Sequence, residues 1–207
     1  CLKNKLNRIL YNPIIDNSIS TTTKEVNKNK LLGEYIRVAC WNIARGLNLE
    51  NIKKVFDNPD ALIAKSNYIL NNKVDLKKVK KQIEVLKKAN IIVLNEVDIG
   101  MPRTGYQNVV KELAETLEYN YAYGVEFIEV DPTHLGLEEH KWSEEAILFP
   151  DKDYKVDKNR YKGLHGNAIL SQYPITNVKV IRLPKYYDWF NEEKGKIAKL
   201  EVARRKA

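Results

Sequence analysis

The stretch DLKKVKKQIEVLKKANIIVLNEVD, residues 75–98, decides the fold class. Leu76, Val79, Ile83 and Leu86 recur at helical spacing, and Lys77, Lys78, Lys80, Lys81, Lys87 and Lys88 occupy the other faces. That pattern predicts an amphipathic surface helix with Asp75 as its N-cap. Its lysines could meet phosphates, although a solvated outer face is the reading such a pattern favours. Asn90 ends the helix, and Ile91 to Leu94 is a short, wholly apolar run of the kind found in strands buried on both faces. Helix, tight connection and buried strand make an α/β unit.

Upstream, residues 2–10 suit one short helix, and 12–30 turn to Asn, Ser, Thr and Lys with almost no apolar periodicity. Residues 1–34 are therefore expected to form a leader or mobile linker, with the domain occupying 35–207. Residues 35–43 gather Ile36, Val38, Cys40 and Trp41 and predict a mostly buried strand ending at Asn42, with Cys40 a small core residue. Residues 46–72 predict a loop and one or two helices around Pro59. Downstream, Thr104 with Gln107 three residues on reads as a capping box for a helix through Tyr106, Val109, Val110, Leu113 and Leu117. Strands are expected at 121–130, 166–171, 178–183 and 197–202, with 131–160 irregular and charged.

The 207 residues are 43% hydrophobic, enough for one domain with a core, and 35 Lys and Arg against 27 Asp and Glu give a net charge of +8. That balance favours polyanionic partners without choosing among nucleic acid, phosphoinositide and anionic membrane. Two cysteines, Cys1 and Cys40, exclude a disulfide framework. The sequence has no run of the roughly 18 to 20 apolar residues that span a bilayer, so a soluble protein, cytoplasmic or exported, is expected.

Two strand ends carry polar residues that their apolar runs do not explain: Asn42 in Trp41-Asn42-Ile43, and Glu96 in Asn95-Glu96-Val97-Asp98. Open α/β folds place their chemistry at strand ends. A carboxylate there can give one oxygen to Mg²⁺, and a neighbouring amide can orient it without adding charge. Asn42 as a plain strand cap and Glu96 as a lysine's ion-pair partner fit the spacing equally well.

Three stretches taken in order add a resemblance. Ile36-Arg37-Val38-Ala39-Cys40-Trp41-Asn42-Ile43, Ile91-Ile92-Val93-Leu94-Asn95-Glu96-Val97-Asp98 and Gly166-Asn167-Ala168-Ile169-Leu170-Ser171-Gln172-Tyr173-Pro174-Ile175 resemble the endonuclease/exonuclease/phosphatase superfamily over roughly residues 35–205. The resemblance implies a four-layer αββα sandwich and Mg²⁺-dependent phosphoester hydrolysis, with Mn²⁺ an alternative ion. It does not imply a substrate, since members include nucleases, deadenylases, sphingomyelinases and inositol-polyphosphate phosphatases. By the same resemblance Glu96 matches the principal metal-ligand glutamate, and Asn42 the asparagine that supports the metal and phosphate site. Both are expected to be catalytic and metal-site residues.

The family pattern continues with Thr-His-Leu, Asp-x-Asn and Ser-Asp-His motifs, and none of them follows Ile175 here. With Cys1 at the start and a strand pattern close to Ala207, the chain is expected to be the first portion of a longer enzyme, inactive alone and lacking the base that activates water. The alternative is a non-enzymatic module that binds nucleic acid or phosphorylated ligands through its basic surface. Arg45 and Arg103 could hold a phosphate by bidentate hydrogen bonds or form surface salt bridges. His165 and Asn167, on the third motif, are further substrate-contact candidates; for His165 a surface role is the plainer reading, and a general-base role is not expected. His134, Glu138, Glu139 and His140 cluster without the spacing of a zinc helix. Trp189 with Tyr186 and Tyr187 could stack on bases or pack at the rim of a core.

Overall fold

Asp75 opens its helix as expected: the carboxylate accepts the Lys78 backbone N–H at 3.1 Å. The computed structural model that places it describes residues 2–19, 35–69, 75–129, 163–181 and 183. In chain order the elements are α1 (Leu2–Tyr11), β1 (Ile14–Asp16), β2 (Val38–Arg45), α2 (Leu49–Asp57), α3 (Pro59–Ile69), α4 (Leu76–Lys87), β3 (Ile91–Ile99), α5 (Val109–Leu117), β4 (Asn120–Glu129) and β5 (Gly163–Ser171). The fold is mixed α/β around one five-stranded sheet of order β1-β4-β5-β3-β2. Only β2 and β3 run parallel, joined by the crossover through α2, α3 and α4, and the other neighbours are antiparallel.

The apolar run at residues 91–94 is central because β3 pairs on both sides, with β2 and β5. Ile92 and Leu94 point into a core with Ile43, Val97, Ala168, Leu170, Tyr121, Tyr123 and Val125, covered by Val109, Val110 and Leu113 of α5 and Leu49 and Ile52 of α2. Trp41 meets Phe56 edge-on at 6.4 Å, tying α2 to β2. The other face is arranged in rows across the sheet. Cys40, Val93, Ile169, Ala122 and Ile15 form one row by register, and Asn42 pairs with Asn95 in the next. On this face Val38, Ile169 and Ile15 are exposed.

Several expectations change. Cys40 is exposed rather than in the core, because it lies on the face of the sheet turned away from α2 and α5. Within the segment read as a leader, Ile14–Asp16 pairs with β4, and Asn17 exchanges two hydrogen bonds with the Ile175 backbone at 2.9 and 3.0 Å. Thr104 does not cap α5. It is buried in a 3-10 turn at Pro102–Thr104, where its hydroxyl donates to the Met101 carbonyl, and Asn108 is the cap, accepting from Lys111 N–H at 3.1 Å. Residues 178–181 form no strand among the described residues; Ile181 is exposed, so the alternating pattern there has no covered face. The strand expected at 197–202 and the segment 131–160 lie outside the described residues. No helix among the described residues is long and apolar enough to cross a membrane.

β5 approaches β4 closely at Gly166, where an added Cβ would sit 2.1 Å from the Gly124 carbonyl oxygen. The obstacle is backbone and cannot rotate away. Gly166→Ala is expected to lower unfolding free energy by about 2 kcal/mol or more in urea denaturation, whereas Gly124→Ala, whose Cβ meets nothing within 4 Å, should stay within about 0.5 kcal/mol. Equal effects would refute the close-approach explanation.

Candidate functional site

Three strands gain one residue at the same level of the sheet. Between β2 and β3, Asn42 faces Asn95 but Arg45 faces Val97; between β3 and β5, Leu94 faces Ala168 but Val97 faces Gly166. Between β4 and β5, Val125 faces Gly166 and Phe127 faces His165. Each mismatch is a β-bulge, which lets successive side chains leave by the same face and kinks the strand. Glu96 takes up the distortion in β3 at φ 55°, with Ala44 at 48° and Arg45 at 67° in β2. Left-handed backbone is costly for a glutamate and clusters where a side chain must be aimed.

The bulges open a pocket of about 700 Å³ on the face away from α5. It brings together all six residues singled out in the sequence: Asn42, Arg45, Glu96, Arg103, His165 and Asn167. Asn95, Glu126 and Phe127 complete its wall. Asn42 Nδ2 donates to Glu96 Oε1 at 2.7 Å, while Asn42 Oδ1 accepts the Ala44 N–H at 2.9 Å. The amide is thus locked by its own strand and orients the carboxylate. Asn95 Nδ2 donates to Asn167 Oδ1 at 3.2 Å, carrying the amide row across to β5.

Behind this row is a buried ionic cluster. Asp98, fully buried, takes Arg103 Nε on Oδ2 at 2.5 Å and Arg103 Nη2 on Oδ1 at 3.1 Å. The same Oδ1 lies 2.7 Å from His165 Nδ1, and the imidazole stacks on Phe127 with ring centroids 4.7 Å apart. Arg103 is only 5% exposed and His165 7%, which corrects the surface readings of both. Tyr123, also buried, donates to the Val97 carbonyl at 3.0 Å and so pins the backbone beside Glu96. Burial, reinforced by the Asp98 charge, holds its phenol far above the ordinary range, so it remains a donor.

The donor chemistry fits a hard divalent cation held sparingly. Among the described residues no group of three or more His, Cys, Asp or Glu side chains could hold a metal. Mg²⁺ does not require one, since it retains several waters and is commonly bound by one or two carboxylates together with substrate phosphate. Glu96, steadied by Asn42, offers one carboxylate, and Glu126 brings a second to the same wall. Asn42 Nδ2 and Oδ1 each make one hydrogen bond and each keep a second valence, so Oδ1 remains able to face a cation beside Glu96.

Asp98, Glu126 and Phe127 did not stand out in the sequence as site residues. Asp98 adjoins the Glu96 motif, and a buried-strand reading that runs past Leu94 could have marked it. Glu126 and Phe127 carry no such signal, because in an unbulged strand they would face opposite ways. His134, Glu138, Glu139, His140, Tyr186, Tyr187 and Trp189 lie outside the described residues. The letters Thr133-His134-Leu135 do occur, but before the Gly166 strand rather than after it. Compared with known proteins, the chain matches no family model, no curated sequence and no solved structure.

Removing the Asp98 carboxylate would leave the Arg103 charge buried without its counter-ion. Asp98→Ala is therefore expected to destabilise the fold by about 3–5 kcal/mol. Breaking the exposed Lys111–Glu115 pair should cost only about 0.3–0.5 kcal/mol. Chemical denaturation of both variants checks the contrast, and similar small losses would mean that the cluster is not structurally coupled.

Proposed function

We propose that this chain carries the metal and phosphate half of a Mg²⁺-dependent phosphoester hydrolase of the endonuclease/exonuclease/phosphatase type, with Mn²⁺ able to replace Mg²⁺. The observation that carries the reading is the Asn42–Glu96 hydrogen bond of 2.7 Å at two bulged, parallel strand ends, within a pocket that also holds Arg45, Arg103 and His165. Two carboxylates for a cation and three basic side chains for an anion in one polar pocket suit a phosphoester better than an apolar ligand.

In this reading a bound Mg²⁺ would supply Lewis-acid stabilisation of negative charge on the phosphoester oxygens. Glu96 would hold the ion, Asn42 fixes the direction of the Glu96 carboxylate, and the Arg103 and Arg45 guanidiniums would draw the phosphate in. Asn95 and Asn167 line the floor with amides that can hydrogen-bond without adding charge. A group that activates water for in-line attack belongs to the parent protein, so activity is assigned to that protein and not to residues 1–207. The uncovered face bearing Val38, Cys40 and Ile169 supports the accompanying fold proposal, a second sheet packed there to make a four-layer sandwich.

The parent protein should hydrolyse plasmid DNA or a simple phosphodiester such as bis(p-nitrophenyl) phosphate only with Mg²⁺ or Mn²⁺, and residues 1–207 alone should not. Glu96→Gln in the parent is expected to lose at least about a hundredfold in kcat/KM, and Asn42→Ala about 10–100-fold. Full activity of Glu96→Gln would end the metal assignment. Salt-dependent binding to DNA with no effect of metal and no turnover would favour the binding-module alternative instead.

A further inference from the structure

We propose that Asp98 is a positioning residue that presents His165 to a phosphoryl oxygen, making the Asp98–His165–Arg103 cluster an oxyanion subsite of the pocket. The proposal rests on the phosphoester reading of that pocket, and it adds a group outside the Glu96–Asn42 pair.

A carboxylate already engaged by a guanidinium fork is an acceptor, so His165 Nδ1 at 2.7 Å must be the donor. The hydrogen bond thereby fixes one proton of the ring on Nδ1. Phe127 stacks on the ring and fixes its plane. The His165 side chain is 9% exposed and lines the pocket, and among the described residues Nε2 has no hydrogen-bond partner. A buried polar atom without a partner, in the wall of a polar pocket, is a place for a ligand atom.

The hydrogen-bond donors of the cluster, rather than the net charge of the wall, select an oxyanion. Asp98 and Arg103 touch and offset one another, while Glu96, Glu126 and Arg45 lie on the pocket wall. An imidazole held between the Asp98 carboxylate and a phosphoryl oxygen carries both ring protons: Nδ1–H donates to Asp98, and Nε2–H donates to the oxyanion. Hydrogen bonds from a cation to an anion are the short, strong class. Arg103 adds positive charge beside them, and its own fork on Asp98 keeps the carboxylate from turning away from the ring. Asp98 acts on the substrate only through His165 and Arg103.

The test uses residues 1–207 and inorganic phosphate, without Mg²⁺, and reads the His165 ring nitrogens by ¹⁵N NMR. Phosphate is expected to shift the Nε2 signal and to give a complex in which Nδ1–H donates to Asp98 and Nε2–H to the phosphate. Asp98→Asn keeps the shape but removes the charge that supports an imidazolium. It should weaken phosphate binding about tenfold and leave one ring nitrogen unprotonated in the complex. Should that variant not fold, His165→Leu, which leaves the Asp98–Arg103 fork intact, is expected to show the same tenfold weakening. Ring nitrogens that ignore phosphate in the unaltered protein, or either variant binding phosphate as tightly as the unaltered protein, would overturn the proposal. Glu96→Gln separates it from the metal reading. A Glu96→Gln protein that still engages phosphate through His165, where no Mg²⁺ binding to the unaltered pocket can be measured, sinks the metal assignment and keeps this subsite. An unaltered protein that binds Mg²⁺ through Glu96 but leaves His165 unmoved by phosphate does the reverse.

Discussion

A β-strand exposes alternate residues on opposite faces, and a single added residue reverses that alternation for everything beyond it. In this sheet one residue is added on β2, on β3 and on β4, all at the level of Glu96. The consequence in β3 is concrete. Leu94 and Val97 both enter the core, three residues apart, and Asn95 and Glu96 both reach the pocket. Asp98 then falls on the side of the sheet where His165 lies. In β4 the same device keeps Val125 in the core while Glu126 and Phe127 both line the pocket. Without the bulges, period-two alternation would turn one of each of these pairs toward the helices.

Such a distortion has to be held from outside, since left-handed backbone at Glu96 is not where a glutamate rests. Three contacts do so from different directions. The Asn42 amide, itself tied to Ala44, clamps the carboxylate from β2. The Tyr123 hydroxyl holds the Val97 carbonyl from within the core. The absence of a side chain at Gly166 allows the β4 and β5 backbones to close up beside the bulge. The loop after β3 completes the frame: Gly100 N–H bonds the Gln107 carbonyl at 2.9 Å, and Ile99 bridges Asn108, so Arg103 is folded back onto Asp98.

These facts explain what was and was not legible in the sequence. Residues 91–94 announced a central strand by their apolar run, although burial alternates along it rather than covering both faces: Ile92 and Leu94 enter the core while Ile91 and Val93 are half-buried. Glu96 and Asn42 stood out for the complementary reason, as polar residues that interrupt apolar runs. Cys40 was misassigned to the core because apolar character alone does not say which face of a sheet a residue takes, and Cys40 lies on the face away from the helices. Thr104 and Gln107 have the letters of a capping box. The chain needs those residues for the turn that returns Arg103 to β3, so Asn108 takes the cap. The cluster of Asp98, Arg103 and His165 spans 67 residues of chain between Asp98 and His165, and only the register of β3 against β5 brings its ends together.

The same geometry divides the site by kind of charge. At the β2–β3 end Glu96 is held by an uncharged amide. At the β3–β5 end the Asp98 carboxylate is engaged by Arg103 and His165, and these two side chains line the pocket. Two carboxylates only two residues apart in sequence are therefore partnered differently, Glu96 by a neutral amide and Asp98 by a guanidinium and an imidazole. The bulged end of this sheet thus sets the Glu96 carboxylate beside the Arg103 and His165 side chains of the Asp98 cluster in one pocket.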